Sequence, residues 1–389
     1  MANGELMVVA GEASGDLHAA DVLAELRRRR PDLRAFGMGG PRLQAAGLER
    51  LFDAREISVM GIAEVLPRLP RIWRVFRALV RAARERRPAA ALLVDVPDFN
   101  LRLARKLRGL GVPVVFYVSP TVWAWRPGRV RQIARDVDRM LCILPFEEEF
   151  YREHGVRARY VGNPVVEQVP EPDTPEAFRR ALGLDAARPT LALLPGSRPS
   201  ELQRLLPPMV ESAALLAKER PDLQLVVPVA PGLDRAALEE AFAARGLRPT
   251  LVDGRTAEVV GASDVAVVAS GTATLETALM LRPMVVVYRM SALSWVVGKL
   301  LVKVAFVSLV NLLSGPRLVP ELLQSQLRPE AVAEEVRRLW APGSARDAQL
   351  EGLRALRSQL GDGPTASRVA DEVLEVLDAR AKDPGAVAR

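Results

Sequence analysis

The chain has 389 residues, 49% of them hydrophobic and 26% charged, which is enough apolar material for two domain cores. Its single cysteine, Cys142, excludes an internal disulfide, and two histidines, His18 and His154, exclude a histidine-rich metal site. The net charge of +7 is uneven, since residues 1–165 carry 28 Lys and Arg against 19 Asp and Glu. The basic first half should therefore meet an anionic partner: phospholipid, phosphorylated substrate or nucleic acid.

The opening MANGELMVVAGEASGD enters an apolar strand without the basic and long apolar regions of a signal peptide. Strands are predicted at Leu6–Ala10, Ala90–Val94, Val112–Val118 and Met140–Leu144, with helical patterns such as Leu17–Arg29 and Leu101–Arg108 between them. That alternation reads as βαβ units on a parallel sheet. In residues 64–87, Leu69, Ile72, Trp73, Phe76 and Leu79 recur at helical spacing, with Arg68, Arg71, Arg74, Arg77, Arg81 and Arg84 between them. Two readings fit: a core helix with a solvated basic face, or a helix lying on an anionic membrane through those five apolar side chains.

DVPDF (95–99) follows a strand and sets Asp95 and Asp98 at its C-terminal end, the usual address of catalytic groups in such sheets. Either carboxylate also suits a helix cap. In YVSPTVWAWRPGRV (117–130), Trp123 and Trp125 sit beside Arg126 and Arg129, which suggests sugar or acyl contact. Asp136 and Asp138 form a D-x-D pattern, but the flanking Arg135 and Arg139 make surface ion pairing the better reading. No metal site and no cofactor are expected.

The proline-rich, acidic stretch VPEPDTPEAF reads as a linker between a first domain, 1–170, and a second, 186–345. Strands then restart at Leu191–Leu194, Leu223–Val229, Val265–Ala269 and Met284–Val287. In TLALLPGSRPSEL the first of them stops at Gly196-Ser197-Arg198, and Ser200 is expected to cap the next helix. Such a loop is either a plain turn with a solvated arginine or a diphosphate site, built from backbone N–H groups and a guanidinium fork. A second loop, ASGTATLE, turns on Ser270-Gly271-Thr272 and brings Glu276 onto a helix, where it suits ribose hydroxyls. Two such loops favour a nucleotide-sugar site. The whole is an α/β chain of two doubly wound Rossmann-like domains facing a cleft, a glycosyltransferase-B-like plan. Helices in 346–389 are expected to pack back on the first domain, or on a partner subunit of a homodimer.

These motifs carry a resemblance. GEASGDLHAA (11–20), SVMGIAEVL (58–66), DVPDFN (95–100), YVSPTVWAWR (117–126), LPFEEEFY (144–151), LLPGSR (193–198), ASGTATLE (269–276) and VSLVNLL (307–313) make the chain similar to the lipid-A-disaccharide synthases over nearly its whole length. The resemblance implies a peripheral enzyme on the cytoplasmic face of the inner membrane. It would move 2,3-diacylglucosamine from UDP to the 6-hydroxyl of 2,3-diacylglucosamine 1-phosphate, with inversion. It implies Asp98 as general base, although spacing alone does not choose between Asp98 and Asp95. Arg198, Glu276 and Asn311 would serve UDP. The matched stretches also bring Glu12, Ser14, Gly15, Asp16, Trp123, Arg126, Gly196, Ser197, Ser270, Gly271 and Thr272 to the substrates. The chain departs from the family at Ala19, Asn163 and Val310, where glycine, histidine and proline are common. Two rivals remain, a UDP-sugar 2-epimerase on the same fold and a nucleic-acid-binding module.

Overall fold

Short runs of Val, Leu and Ala make the strands of two parallel sheets. The computed structural model describes residues 4–57, 62–125, 127–291, 295 and 304–382. The chain divides into two units, residues 1–164 with 363–389, and residues 165–362. In the first unit the strands are β1 (Leu6–Ala10), β2 (Ala35–Gly39), β3 (Leu48–Asp53), β4 (Ala90–Val94), β5 (Val114–Tyr117), β6 (Arg139–Cys142) and β7 (Ala158–Tyr160). They lie in the order β3-β2-β1-β4-β5-β6-β7, every pairing parallel. The second unit holds β8 (Thr190–Leu194), β9 (Gln224–Val229), β10 (Thr250–Asp253), β11 (Val265–Ala269), β12 (Met284–Tyr288) and β13 (Glu321–Leu323). Their order is β10-β9-β8-β11-β12-β13, again all parallel.

In both sheets the order reverses once, between β1 and β4 and between β8 and β11. These four strands are buried along their whole length, as strands covered on both faces must be. At such a reversal the loops leaving neighbouring strands diverge and open a crevice at the strand C-terminal ends. Each unit has one.

Two expected boundaries fall elsewhere. The stretch read as a linker is folded onto the second unit: Thr174 caps a helix at Pro175–Ala181, and buried Arg179 donates from Nε to the Ala262 carbonyl at 2.9 Å. The segment 346–389 is shared. Its helix Ser344–Leu360 belongs to the second unit, while Thr365–Lys382 completes the first. Val369, Ala370 and Val373 of that last helix are fully buried in one cluster with Leu6, Leu23 and Leu26. Asp371 and Asp378 pair with Arg29 and Arg30 around them.

Candidate active site

In the first unit, β4 ends in a turn that few residues tolerate. Asp95 and Val96 both adopt left-handed backbone, at φ 54° and 43°, a conformation costing non-glycine residues about 1–3 kcal/mol each. Buried Asn100 holds the turn, its Nδ2 donating to the carbonyls of Val94 (3.1 Å) and Asp95 (2.8 Å). Pro97 then opens the helix Pro97–Arg108 at a position where its missing N–H is harmless. Asp98 follows in the first turn, exposed and ion-paired with Arg129. Asp95 is half-buried, and burial raises its carboxyl above the usual range despite a hydrogen bond from the Val96 N–H. The neighbouring strand end is bonded to this one, Asp95 N donating to the Tyr117 carbonyl at 3.0 Å.

GEASGD, across the same reversal, is not the loop its glycines suggest. The helix begins at Ala13 rather than Leu17, with Glu12 at its N-cap. Glu12 and Ser14 are exposed there, whereas Gly15 and Asp16 are buried. Asp16 accepts from the N–H groups of Gly40 (2.6 Å), Arg42 (3.0 Å) and Leu43 (3.1 Å), closing the start of the helix Pro41–Ala45. All three donors lie on the protein side, so the carboxylate is committed to an internal hydrogen-bond set. Trp123 is half-buried and donates its indole N–H to Glu147 at 3.0 Å. Arg126 lies outside the described residues. Of the D-x-D pair, Asp136 meets Arg135 and Asp138 meets Arg108.

In the second unit, the turn after β8 passes through Gly196, with φ 108°. A Cβ there would stand 2.4 Å from Glu201 Oε2, so the position requires glycine. Arg198, not Ser200, is the N-cap of the helix Pro199–Glu219, because Pro199 is already suited to the first helical position. Glu201 turns back to accept from the N–H groups of Ser197 (3.1 Å) and Arg198 (3.3 Å). Ser197 is exposed, and the Arg198 side chain, at 62% exposure, touches Glu201 only at 3.5 Å. Beside this loop, β11 ends at Ser270, whose hydroxyl donates to the Val307 carbonyl at 3.0 Å, while Gly271 and Thr272 stay exposed. Glu276, in the helix Thr272–Leu279, is half-buried and its carboxylate makes no hydrogen bond among the described residues; burial raises its pKa.

Asn311 is placed otherwise than expected. It is fully buried, its Nδ2 donating to Val319 O (3.0 Å) and Glu321 Oε1 (2.8 Å). Its Oδ1 accepts from the N–H groups of Leu318 (2.8 Å) and Val319 (2.9 Å). Both amide ends are used internally, and they shape the loop before β13. Sequence reading also missed Asn100 and Glu147, whose importance lies in what they hold.

The helix Ile62–Arg86 combines both readings of its pattern. Leu79 is fully buried and Phe76 nearly so, with Ile72 packed against the same core. Phe76 and Leu79 are therefore core side chains, while Ile72 is half-buried. Leu69 and Trp73 are exposed, at 37% and 47%, and Trp73 lines a groove of about 720 Å³ with Pro70, Arg74, Arg77, Ala78 and Arg81. A further apolar stretch with two lysines, WVVGKLLVK (295–303), which could add a second membrane contact, lies outside the described residues apart from Trp295. Among the described residues, no helix is long and apolar enough to cross a membrane.

A family model described as lipid-A-disaccharide synthetase matches residues 6–362. The chain belongs to this family of glycosyltransferases. A lipid-A-disaccharide synthase of Myxococcus xanthus is 64% identical over 96% of this chain and 97% of its own. One of Geobacter sulfurreducens is 42% identical over the same shares. Among solved structures, the calicheamicin glycosyltransferase CalG4 matches with a TM-score of 0.60 at 18% identity, covering 98% of this chain and 100% of its own. A putative UDP-N-acetylglucosamine 2-epimerase from Listeria monocytogenes reaches 0.62 at 14% identity, over 98% of each chain. At such identities the likeness shows the fold alone, the two-domain glycosyltransferase-B type. Fold therefore does not separate transferase from epimerase, whereas the family membership does.

Proposed function

We propose that the protein moves 2,3-diacylglucosamine from its UDP donor to the 6-hydroxyl of 2,3-diacylglucosamine 1-phosphate. The observation that carries this reading is what the outward-turned loops hold at the two sheet reversals: a carboxylate pair in the first unit, a glycine loop with an arginine in the second. Asp98 takes the proton of the acceptor 6-hydroxyl as that oxygen bonds to the anomeric carbon. The bond from that carbon to the β-phosphate oxygen breaks on the opposite face, and UDP leaves with the electron pair. Charge growing on the departing diphosphate is met by the Arg198 guanidinium fork and the positive end of the dipole of the helix Pro199–Glu219. Glu276, half-buried and with no hydrogen-bond partner for its carboxylate among the described residues, accepts from the ribose hydroxyls. Asp95 is a second reading for the base, because burial strengthens its hold on a proton. Incubating purified protein with both substrates should give disaccharide 1-phosphate and UDP; a donor isomer without disaccharide would overturn the reading.

Docking on the cytoplasmic face of the inner membrane is part of the proposal. Leu69 and Trp73 would enter the headgroup layer, with Arg74, Arg77 and Arg81 facing anionic lipid. Replacing Leu69 and Trp73 together by serine should release the protein from anionic vesicles while leaving Tm unchanged. Retained cosedimentation would place the contact elsewhere.

A further inference from the structure

Glu147 is a carboxylate sealed inside the first unit, 1% exposed, on the helix Pro145–Glu153. Nothing in the proposed chemistry uses it directly. Its Oε2 accepts from the Ser119 hydroxyl (2.6 Å) and the Leu144 N–H (3.2 Å), and its Oε1 accepts from the Trp123 indole N–H (3.0 Å). Two more contacts tie the same helix to the same loop: Tyr151 donates its hydroxyl to the Pro120 carbonyl at 2.9 Å, and Phe146 stands edge-on to Trp123 at 4.9 Å. That loop leaves β5 through Val118, strained at φ 64°. It ends beyond Trp125 at Arg129, the ion-pair partner of Asp98. A buried charge is retained at such expense only where each acceptor site is filled.

We propose that Glu147 is a positioning residue for the transfer. It clamps the Ser119–Trp125 loop so that Arg129, four residues further along the chain, aligns Asp98. This rests on the reading of the Asp98 turn as the acceptor side.

Burial pushes the Glu147 carboxyl up to about 7. The titratable groups facing it are the Cys142 thiol from β6 and the Tyr151 phenol on its own helix, both raised by burial and hence neutral. Its helix neighbour Glu148 turns away to accept from the Tyr160 N–H at 2.6 Å, at β7. Ionised, Glu147 accepts from Ser119, Trp123 and the N–H groups of Leu144 and Ile143; protonated, its own O–H displaces one of them. The clamp is therefore complete above pH about 7 and loosens below. Stability runs the other way. A raised carboxyl lends stability that is whole below its unfolded pKa, near 4.5, and is lost as pH rises through about 7. Activity gained while stability falls is a signature that a purely structural carboxylate does not give.

The test uses the full-length protein with kcat, acceptor KM, UDP affinity and Tm measured from pH 6 to 8. Glu147→Gln, neutral throughout, should hold kcat several-fold below the wild-type value at pH 8, remove the acid limb near 7, and melt no lower than wild type at pH 8. Ser119→Ala should lower kcat several-fold with UDP affinity within twofold. Glu147→Ala should cost 10- to 100-fold in kcat, the scale of a misplaced reacting group. If Glu147→Gln and Ser119→Ala keep wild-type kcat and acceptor KM while Asp98→Asn is inactive, the clamp is wrong and the acceptor reading stands. If Asp98→Asn is itself fully active, Asp98 is not the base and its alignment by the clamp falls with it. A kcat that drops only in step with Tm and UDP affinity also overturns the clamp.

Discussion

GEASGD and LPGSRP look alike as sequence: each follows a buried strand, contains a glycine and enters a helix. In the first unit that start is turned inward. Asp16 spends its carboxylate on the N–H groups of Gly40, Arg42 and Leu43, and a Cβ at Gly40 would stand 2.5 Å from it. In the second unit the start is turned outward, with Ser197 and Arg198 exposed and their N–H groups held by the nearby Glu201 carboxylate. The strand-to-helix pattern places a polar group at a crevice. Which way the group faces is decided by what packs behind it, and for Asp16 that is a second helix start.

The contrast is sharpest between the outward loops of the two units. Asp98→Asn keeps size and removes the base, so turnover should fall by roughly 10²–10⁴ with UDP affinity unchanged. Steady-state rates beside UDP calorimetry check it, and near-normal turnover moves the role to Asp95. Arg198→Ala should instead lose UDP affinity and rate together, by about 1.5–3 kcal/mol. Arg198→Lys recovers only part, since an ammonium cannot fork across two oxygens. Undiminished UDP binding in the alanine variant would remove Arg198 from the site.

Breaking the inward loop should leave the opposite trace. Asp16→Ala strands three N–H donors, at a cost of about 1–3 kcal/mol in folding, and a denaturant melt should register it while UDP affinity stays at wild type. A fall in UDP affinity without loss of stability would return Asp16 to the substrate. The smallest effect belongs to Glu201. Glu201→Gln preserves an acceptor for the two N–H groups and removes a negative charge where the diphosphate docks. UDP should bind more tightly, by less than about 1 kcal/mol, as suits an exposed charge. Weaker binding would make the carboxylate part of the recognition.

The strands legible in the sequence are those deep in each sheet. β1, β4, β8 and β11 show unbroken apolar runs because both faces are covered. The edge strands β3, β7, β10 and β13 escape notice. LERLFD is covered on one side only, and ARY is too short to show a period. β2, one place in from the edge, is buried throughout but reads AFGMG, without the β-branched signature. For the site, DVPD and PGSR were visible because strand-end loops have a fixed address. The inward commitment of Asp16 was not, since its partners lie far along the chain, nor was that of Asn311, whose backbone partners lie in an irregular loop without a period to read. Spacing likewise showed an apolar stripe on the helix Ile62–Arg86 without saying that Phe76 and Leu79 face the core and Leu69 and Trp73 face out.

The last helix sets the order in which this molecule can be finished. The first sheet leaves the ribosome early, yet the helix that covers Leu6, Leu23 and Leu26 is made only after all of Val165–Asp362. Domains fold as units during synthesis, so the second unit, contiguous in the chain, closes before the first. Until residues 365–382 emerge, the part of this cluster that they cover, beside the first helix, stays bare, and a chain cut after Asp362 keeps it bare for good. Such a product would be a sticky, aggregating protein with an intact second unit, so a tag or fusion belongs at the front of this chain and not within its final helix.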